Sequence, residues 1–590
     1  MAIEELPIFC YYDRQRFTQF GAMDCANWYG IQVESGKKKQ ALYPAMGRQH
    51  ITFGGQNQLI FSAEPRLIFK SINFFYVIDG TQVFQYDKFY NQKIIGNVSL
   101  TGNLWFSILP VNTVVYIMLT DGTNIYIITE NGTNVTMGTV TDPNAPGGGN
   151  NPGSPAFVAT FGNRFVVSTL NTPQFTLSVI NLGGSVVDLN TCFTINGAAL
   201  FAQATGIIRQ LAVLHNQLYI FNDFTTDIWG NISTQITVAG ATFEFPFKLN
   251  SSYNFDYGME DPFSLSVSFG RMTWLGQNQE GSVSFFVSDG GRPQDISTQA
   301  INVLLQDSTH PGDVSPFLTQ TVRGFLYQYE NTIFYRAVVG IFISEDILDL
   351  DEDNTVAIEY NFETQTWGRV IELNGERNRI QQHVFFNNIH LVTIEEDSAI
   401  YEMAGNIYTN ELRTPNTGPQ DANAFTQYPM RYELVTRQLA LEAYEEFIDD
   451  YVQIDFVFGD EAFFRSDAPF LNTVFIVGEG STPTNPIYIV TEDGKYVIQE
   501  GTNFPTSADS QWNALYKPHI ELYISDDGGV TFLSADAREP WQLGEYRWIM
   551  RWNELGTSRN RCYKLVCVSP APIVILGAVR NTRRASGGAN

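Results

Sequence analysis

Between about residue 65 and residue 410 one unit recurs: an alternating apolar run, a short polar turn, then a second apolar run. The stretches that carry it are Phe74 to Asp87 (FFYVIDGTQVFQYD), Val114 to Gly132, Phe161 to Leu170 and Leu211 to Asn231 (LAVLHNQLYIFNDFTTDIWGN), then Met272 to Gly290, Phe325 to Gly340 and His383 to Gly405. Each alternation is a strand signal and each polar break a hairpin turn. Neighbouring hairpins lie roughly 40 to 60 residues apart, which is the period of four-stranded propeller blades. A blade buries both faces against its neighbours, so strands apolar at consecutive positions, such as Tyr116 to Leu119, are expected within it. The spacing predicts a β-propeller of six or seven blades over 61–410; a β-solenoid or stacked sandwiches are the alternatives. Asp142 to Pro155 (DPNAPGGGNNPGSP) is too rich in Pro and Gly for a regular element and reads as a long exposed loop. Tyr360 to Val370 reads as a blade ending, with a Trp placed to cap the next strand.

Composition agrees. Apolar residues make up 44%, aromatics 14% and charged residues only 16%, the balance of a folded, all-β chain. Thirty-five basic against sixty-two acidic residues leave a net charge of −27. Such a surface keeps a large protein soluble and repels nucleic acid, since DNA binders gain affinity through Lys and Arg. The five cysteines, at 10, 25, 192, 562 and 567, are odd in number and show no C-x-x-C. Cys562 and Cys567 fall on opposite faces of one strand and cannot pair, which suits assembly in a reducing cytoplasm. The opening MAIEELPIFC lacks a signal-peptide pattern, and no apolar run reaches the length of a membrane span, so a soluble protein is expected.

Outside the repeats, residues 1–60 read as an irregular arm, with Asn27-Trp28-Tyr29 ahead of the basic triplet Lys37, Lys38 and Lys39. Residues 411–429 read as a linker. Residues 430–590 read as a C-terminal β-sandwich or barrel-like module, interrupted by an insertion at about 460–517 that holds its own hairpin. Met430 to Gly459 gives strand, acidic stretch, strand, whose partners are expected in 520–578. There ELYISDDGGVTF is a hairpin signal, and Ser525, Asp527, Gly529, Thr531 and Phe532 fit the Asp-box pattern S-x-D-x-G-x-T-[FW], a structural hairpin. Two aromatic and β-branched runs follow, Tyr546 to Trp552 and Cys562 to Val568, expected to pair with each other. The last residues, 580–590, are basic and Gly-rich and are expected to be mobile.

The order Asp-Gly hairpin, then W-x-x-L-G-x-S-R-x-R, then a strand closed by a short apolar run resembles the end of the packaged-DNA stabilisation, or tail nozzle, proteins of short-tailed phages. Here it is carried by Trp552, Leu555, Gly556, Ser558, Arg559 and Arg561, followed by Tyr563, Leu565 and Val566. The N-terminal Leu-Pro, the Asn-x-Tyr-like element and a looser Leu…Pro element are similar to that family too. So is Gly290-Gly291-Arg292-Pro293 ahead of a short amphipathic segment. The resemblance implies a structural virion protein, six copies forming a ring below portal and adaptor. That ring would extend the DNA channel, retain the genome and anchor spikes, fibres or a needle-like plug. It also implies a place in the phage tail after assembly in the host cytoplasm, and neither cofactor nor catalytic residue. DNA would pass without specific binding, and Lys37, Lys38, Lys39, Arg559 and Arg561 would be candidate partner contacts.

Motifs for chemistry are absent from the sequence: no G-x-S-x-G, Walker A loop, H-E-x-x-H or metal-spaced Cys/His cluster occurs. His383 and His390 flank a turn and read as ordinary strand histidines. Asp349, Asp351 and Asp353 begin like a calcium loop, but Asn354 replaces the turn Gly and Tyr360 the bidentate Glu, so an acidic surface loop is the simpler account. A glycosidase or lectin-like propeller acting on host glycans is the rival reading, because the Asp-box occurs in sialidases. A receptor-binding fibre would show coiled-coil or β-helix repeats, which are not seen.

Overall fold

The computed structural model describes residues 2–14, 22–32, 40–51, 59–179, 188–195, 197–231, 234–238, 241–250, 254–307, 322–339, 356–413, 425–441, 445–458, 519–538 and 547–585. The 460–517 insertion, the Lys37–Lys39 triplet and Asp349, Asp351 and Asp353 lie outside these residues.

The first five quoted hairpins fall in five separate antiparallel sheets, and the sixth and seventh form the two ends of one long sheet, linked through Ala22–Ala26, Phe425–Val435, Thr409–Arg413 and Gly47–His50. The first strands are Leu67–Lys70, Trp105–Val111, Pro155–Phe161, Ile208–Leu214, Ser266–Ser268, Arg323–Tyr329 and Ile380–Phe386, and they pack side by side around an axis. These are blades one to seven of a β-propeller. In blade two the strand Val114–Thr120 shows why consecutive positions are apolar. Val115, Ile117 and Leu119 join Phe69, Tyr76 and Ile78 of blade one, while Tyr116 and Met118 join Val158, Phe165 and Val167 of blade three. Side chains alternate across a strand, so burial on both faces leaves no polar position. Apolar clusters fill every seam in turn, from blades three and four round to blades seven and one. The ring is closed, and each seam buries apolar surface at roughly 25 cal/mol per Å2.

The turn between first and second strands repeats as well. Gly162-Asn163, His215-Asn216, Phe269-Gly270, Glu330-Asn331 and Asn387-Asn388 all hold positive φ at both residues, the type I′ geometry whose twist matches the strands it joins.

Blade seven supplies only three strands from its own stretch, Ile380–Phe386, Ile389–Ile394 and Ile400–Ala404; the fourth is Gly47–His50 from the N-terminus. The expected irregular arm over 1–60 instead contributes six short strands. Their signal is weak because each has only two to five residues. Ala2–Leu6, Trp28–Gln32 and Gln40–Pro44 join Phe447–Phe458, Arg547–Asn553 and Ile573–Arg584 in one sheet. Ala22–Ala26 pairs with Phe425–Val435, which pairs with Cys562–Ser569 and, through it, with His519–Ser525. These two sheets enclose a core of Leu6, Trp28, Leu42, Tyr432, Leu434, Ile454, Phe456, Trp552 and Leu565. The C-terminal module is therefore a sandwich built from both ends of the chain.

Other expectations are corrected as well. Arg547–Asn553 and Cys562–Ser569 are not partners: each pairs with a strand of a different sheet, because their buried faces share one core from opposite sides. The 411–429 stretch is strand at both edges, Thr409–Arg413 pairing with Phe425–Val435. The 142–155 loop is exposed at Pro143, Gly147, Gly149, Asn150 and residues 152–154, yet it is anchored from within: the buried Asp142 carboxylate accepts from Asn144 N (2.9 Å), Phe193 N (2.6 Å) and Thr194 Oγ1 (2.7 Å). Cys10 and Cys25 are joined as a disulfide, while Cys192, Cys562 and Cys567 are free and buried. The segment after Pro293 is the helix Gln299–Asp307, which lays Ala300, Ile301 and Leu305 onto the seam of blades five and six.

Candidate functional site

Propellers gather ligand groups at the axis, so its filling matters first. Here the connection between blades four and five turns inward at Asp261, whose carboxylate accepts from Phe263 N and Val322 N, both at 2.8 Å. It carries Phe263 between Trp105 of blade two (centroids 4.7 Å apart, stacked) and the Arg323 guanidinium of blade six, 5.1 Å above the ring. Blades two and six lie nearly across the ring, so this stack stoppers the axis. Burial drives the Asp261 carboxyl up to about 6, against the pull of those two N–H donors.

Charged and amide side chains concentrate instead where propeller and sandwich meet. The tripeptide Asn27-Trp28-Tyr29 is the clasp. Asn27 holds a left-handed φ of 60°, which Asn tolerates better than other non-Gly residues. Its Nδ2 donates to Ile371 O (2.7 Å) and Arg431 O (2.6 Å), and its Oδ1 accepts from Ile371 N (3.1 Å). Strand alternation then sends the next two residues opposite ways. Trp28 enters the sandwich, stacked on Tyr432 with its Nε1 donating to Ile573 O at 2.9 Å, while Tyr29 packs edge-on against Phe334 in the seam of blades six and seven.

Ion pairs reinforce the clasp. Arg48, on the closing strand and 1% exposed, donates to both Glu372 oxygens (2.6 and 3.0 Å) and to Glu411 O (3.2 Å). Asn378 and Asn410 complete the Glu372 shell. Arg369 of blade six pairs with Asp24 (2.5 Å) and reaches Glu433 (3.5 Å), which also receives Arg431 and Lys564. Burial would raise the Glu433 carboxyl, but Lys564, Arg431 and Arg369 bring it below the usual range. Inside the sandwich Arg561 bridges the buried Asp449 (3.2 Å) and Asp526 (2.8 Å), and Tyr563 donates to the same Asp449. Burial pushes the Asp449 carboxyl up despite these donors.

The residues singled out from the sequence fall as follows. Arg561 is corrected from a partner contact to a structural residue: its side chain is 1% exposed and spent on Asp449 and Asp526. Arg559 is exposed. The Asp-box folds as a closed hairpin. Asp527 accepts from Val530 N (3.0 Å), Thr531 N (2.9 Å) and Thr531 Oγ1 (2.6 Å), Ser525 Oγ accepts from Gly529 N (2.8 Å), and Phe532 packs on Val435 and Cys562. His383 and His390 are brought together, Nε2 to Nδ1 at 2.8 Å, in a nest of Phe325, Tyr327 and Phe385. Burial lowers His383 well below its ordinary range and His390 to about 4. Among the described residues no group of three or more His, Cys, Asp or Glu could hold a metal, and no helix is long and apolar enough to cross a membrane. Among the described residues, small concavities of about 10 Å3 lie beside Asn27 and in the sandwich core, each with room for a single water. The clasp was missed from sequence because its partners lie more than 300 residues away.

Fold and site together define a β-propeller with a filled axis, whose buried charges hold blades and sandwich to one another. The phage stabilisation family, described as Bacteriophage P22 Gp10, beta-propeller, matches residues 186–315. This stretch is separate from the C-terminal motif, and it supports the packaged-DNA stabilisation family and a phage structural tail protein. No curated protein sequence matches the chain. Solved structures with similar folds include the Dos1 propeller (10% identity, 66% of this chain and 97% of that chain, TM-score 0.33). Another is virginiamycin B lyase from Staphylococcus aureus (10% identity, 61% and 99%, TM-score 0.31). A third is Kuenenia stuttgartiensis hydrazine synthase (9% identity, 49% and 72%, TM-score 0.28). Likenesses of this size say nothing of activity.

Proposed function

We propose that this chain is a building block of the tail nozzle of a short-tailed phage, forming a ring below portal and adaptor that extends the DNA channel and retains the packaged genome. The carrying observation is the family match over residues 186–315, to which the C-terminal W-x-x-L-G-x-S-R-x-R motif adds a second stretch. Physical chemistry fits the task. A closed ring of blades, locked to a sandwich through buried pairs, is a stiff block suited to bearing load. Because Phe263 stoppers the propeller axis, DNA would travel between subunits, along surfaces whose net charge of −27 does not trap phosphate. Spikes, fibres or a plug would dock on the outer faces. The glycan-acting alternative would need its ligand groups at the axis, where Trp105, Phe263 and Arg323 already sit together.

The test is a nonsense mutation in this gene of the phage that encodes it. Heads that fill with DNA, then lose it, and are rescued by the purified chain would support the reading. Particles that keep their DNA and fail only in host binding would overturn it.

A further inference from the structure

The ring reading leaves open which surfaces join neighbouring copies, and the distribution of exposed apolar side chains picks out two. At one end of blade one the turns 71–74 and 87–91 expose Ile72 (68%) and Phe89 (68%), and the outer strand Gln92–Asn97 exposes Ile94 (54%). Lysines stand among them. Lys70 lies over Phe385 of blade seven (5.6 Å), Lys88 lies over Phe89 (4.9 Å), and Lys93 is exposed on the outer strand. The patch is continuous with blade seven, where Asn387 Nδ2 donates to Lys88 O at 3.3 Å. The carboxylates at this end are engaged or covered: Asp87 accepts from Phe89 N, Asn91 N and Asn91 Nδ2, Glu130 is buried and accepts from Tyr76 OH at 2.8 Å, and Glu402 is half-buried beside Tyr90. In a chain of 35 basic and 62 acidic residues, this end of blade one is a basic exception.

The second surface is the Asp-box hairpin. Leu533 is 75% exposed and Val530 59%. The strand Leu533–Arg538 pairs only with His519–Ser525 among the described residues, leaving a free edge. Its charge is of the opposite sign: Asp526, Asp527 and Asp536 are all exposed, Asp526 paired with the buried Arg561 at 2.8 Å, Asp536 with Arg538 at 2.9 Å, and Asp527 turned onto the backbone of its own hairpin, so the face stays net acidic.

We propose that these two surfaces dock on one another between copies of this chain: the basic, apolar end of blade one against the acidic, apolar Asp-box hairpin of the next copy. The inference rests on the ring reading. Two different patches of one chain that fit each other make a heterologous contact, the kind that closes into a ring when its rotation allows. Exposed apolar anchors supply the buried centre and opposite charges the rim. A second copy is the favoured occupant because charge and apolarity are complementary within this one chain. DNA is not, since three lysines around isoleucine and phenylalanine make too small a basic footprint on a chain this acidic.

The test uses the purified full chain, alone and on heads lacking it, with assembly followed by sedimentation and native mass measurement. Lys88→Glu with Lys93→Glu should weaken wild-type self-association about tenfold or more, and less so at high salt. Leu533→Asp should do the same at all salt concentrations. Adding Asp536→Lys to the double lysine reversal should restore most of the loss, an outcome that general unfolding would not give. Reversed-charge chains that assemble like wild type, or a swap that restores nothing, overturn the docking while leaving the ring reading intact. A wild-type chain that stays single even on its heads overturns both.

Discussion

The strand Gly47–His50 completes the last of the seven blades, and Arg48 is its anchor. Replacing Arg48 by Met keeps volume and removes the charge, leaving Glu372 buried with only the Asn378 and Asn410 amides. Breaking a buried pair by removing one partner costs about 3–5 kcal/mol, because the remaining charge is uncompensated. The lost bond to Glu411 O adds about 1 kcal/mol. The two amides offset part of this, so the net expectation is about 3–4 kcal/mol, expressed first as opening of blade seven. Native-state hydrogen exchange reads that directly: amides of Ile389–Ile394 and Ile400–Ala404 should exchange at least 100-fold faster, about 3 kcal/mol of lost protection, with blades three and four little changed. Adding Glu372→Gln should return about half of the loss or more, since no lone charge remains buried. A loss under about 1 kcal/mol, or one spread evenly over all blades, would refute completion of blade seven by this strand.

Other perturbations probe the rest. A Cβ at Gly47 would lie 2.5 Å from both Ile407 O and Thr409 O; Gly47→Ala should therefore open blade seven much as Arg48→Met does, seen in the same exchange experiment. Arg561→Met leaves the buried Asp449 with Arg580, 3.9 Å away, and the Tyr563 hydroxyl, so it should cost the sandwich about 2–3 kcal/mol, less than a fully broken buried pair, whereas exposed Arg559→Met should stay within about 0.5 kcal/mol in urea unfolding. Asp261, with a folded value of about 6 against an unfolded value near 3.9, binds a proton more tightly when folded. Its contribution is greatest below about pH 4 and falls as pH rises through about 6. Wild type minus Asp261→Asn stability should therefore decline across that window, by about 3 kcal/mol in total; a difference flat or rising with pH would contradict the burial argument.

The blades were legible because each strand is buried on both faces and each turn carries its own chemistry. Val114–Thr120 alone, with its run of consecutive apolar residues and the Asp121-Gly122 turn, announces a central blade strand. The Asp-box was legible for the same local reason, since Asp527 needs only its next four residues. What was not legible depends on contacts distant in sequence. Gly47–His50 has four residues and no alternation to mark it, so only its pairing with Tyr401 to Ala404 on one side and Asn410 on the other makes it a strand. Arg547–Asn553 and Cys562–Ser569 look like hairpin partners by proximity, yet the short Thr557–Ser558 bridge to Phe447 and Ile448 shows the chain crossing between sheets. Arg561 reads as a surface cation because its counter-charge, Asp449, lies 112 residues earlier. The Asn27-Trp28-Tyr29 clasp had a usable cue: two large aromatics in succession on a strand must face opposite ways, so two apolar bodies must flank it.

The central claim is that a stiff propeller locked to a sandwich serves as a repeated block around a DNA channel. Cryo-electron microscopy of intact tails from the encoding phage tests it most directly. The account predicts a ring of copies below the adaptor, with DNA or its channel running between subunits and each propeller axis closed at Phe263. A single copy per tail, or density for a glycan or for DNA threading the propeller axis itself, would contradict it.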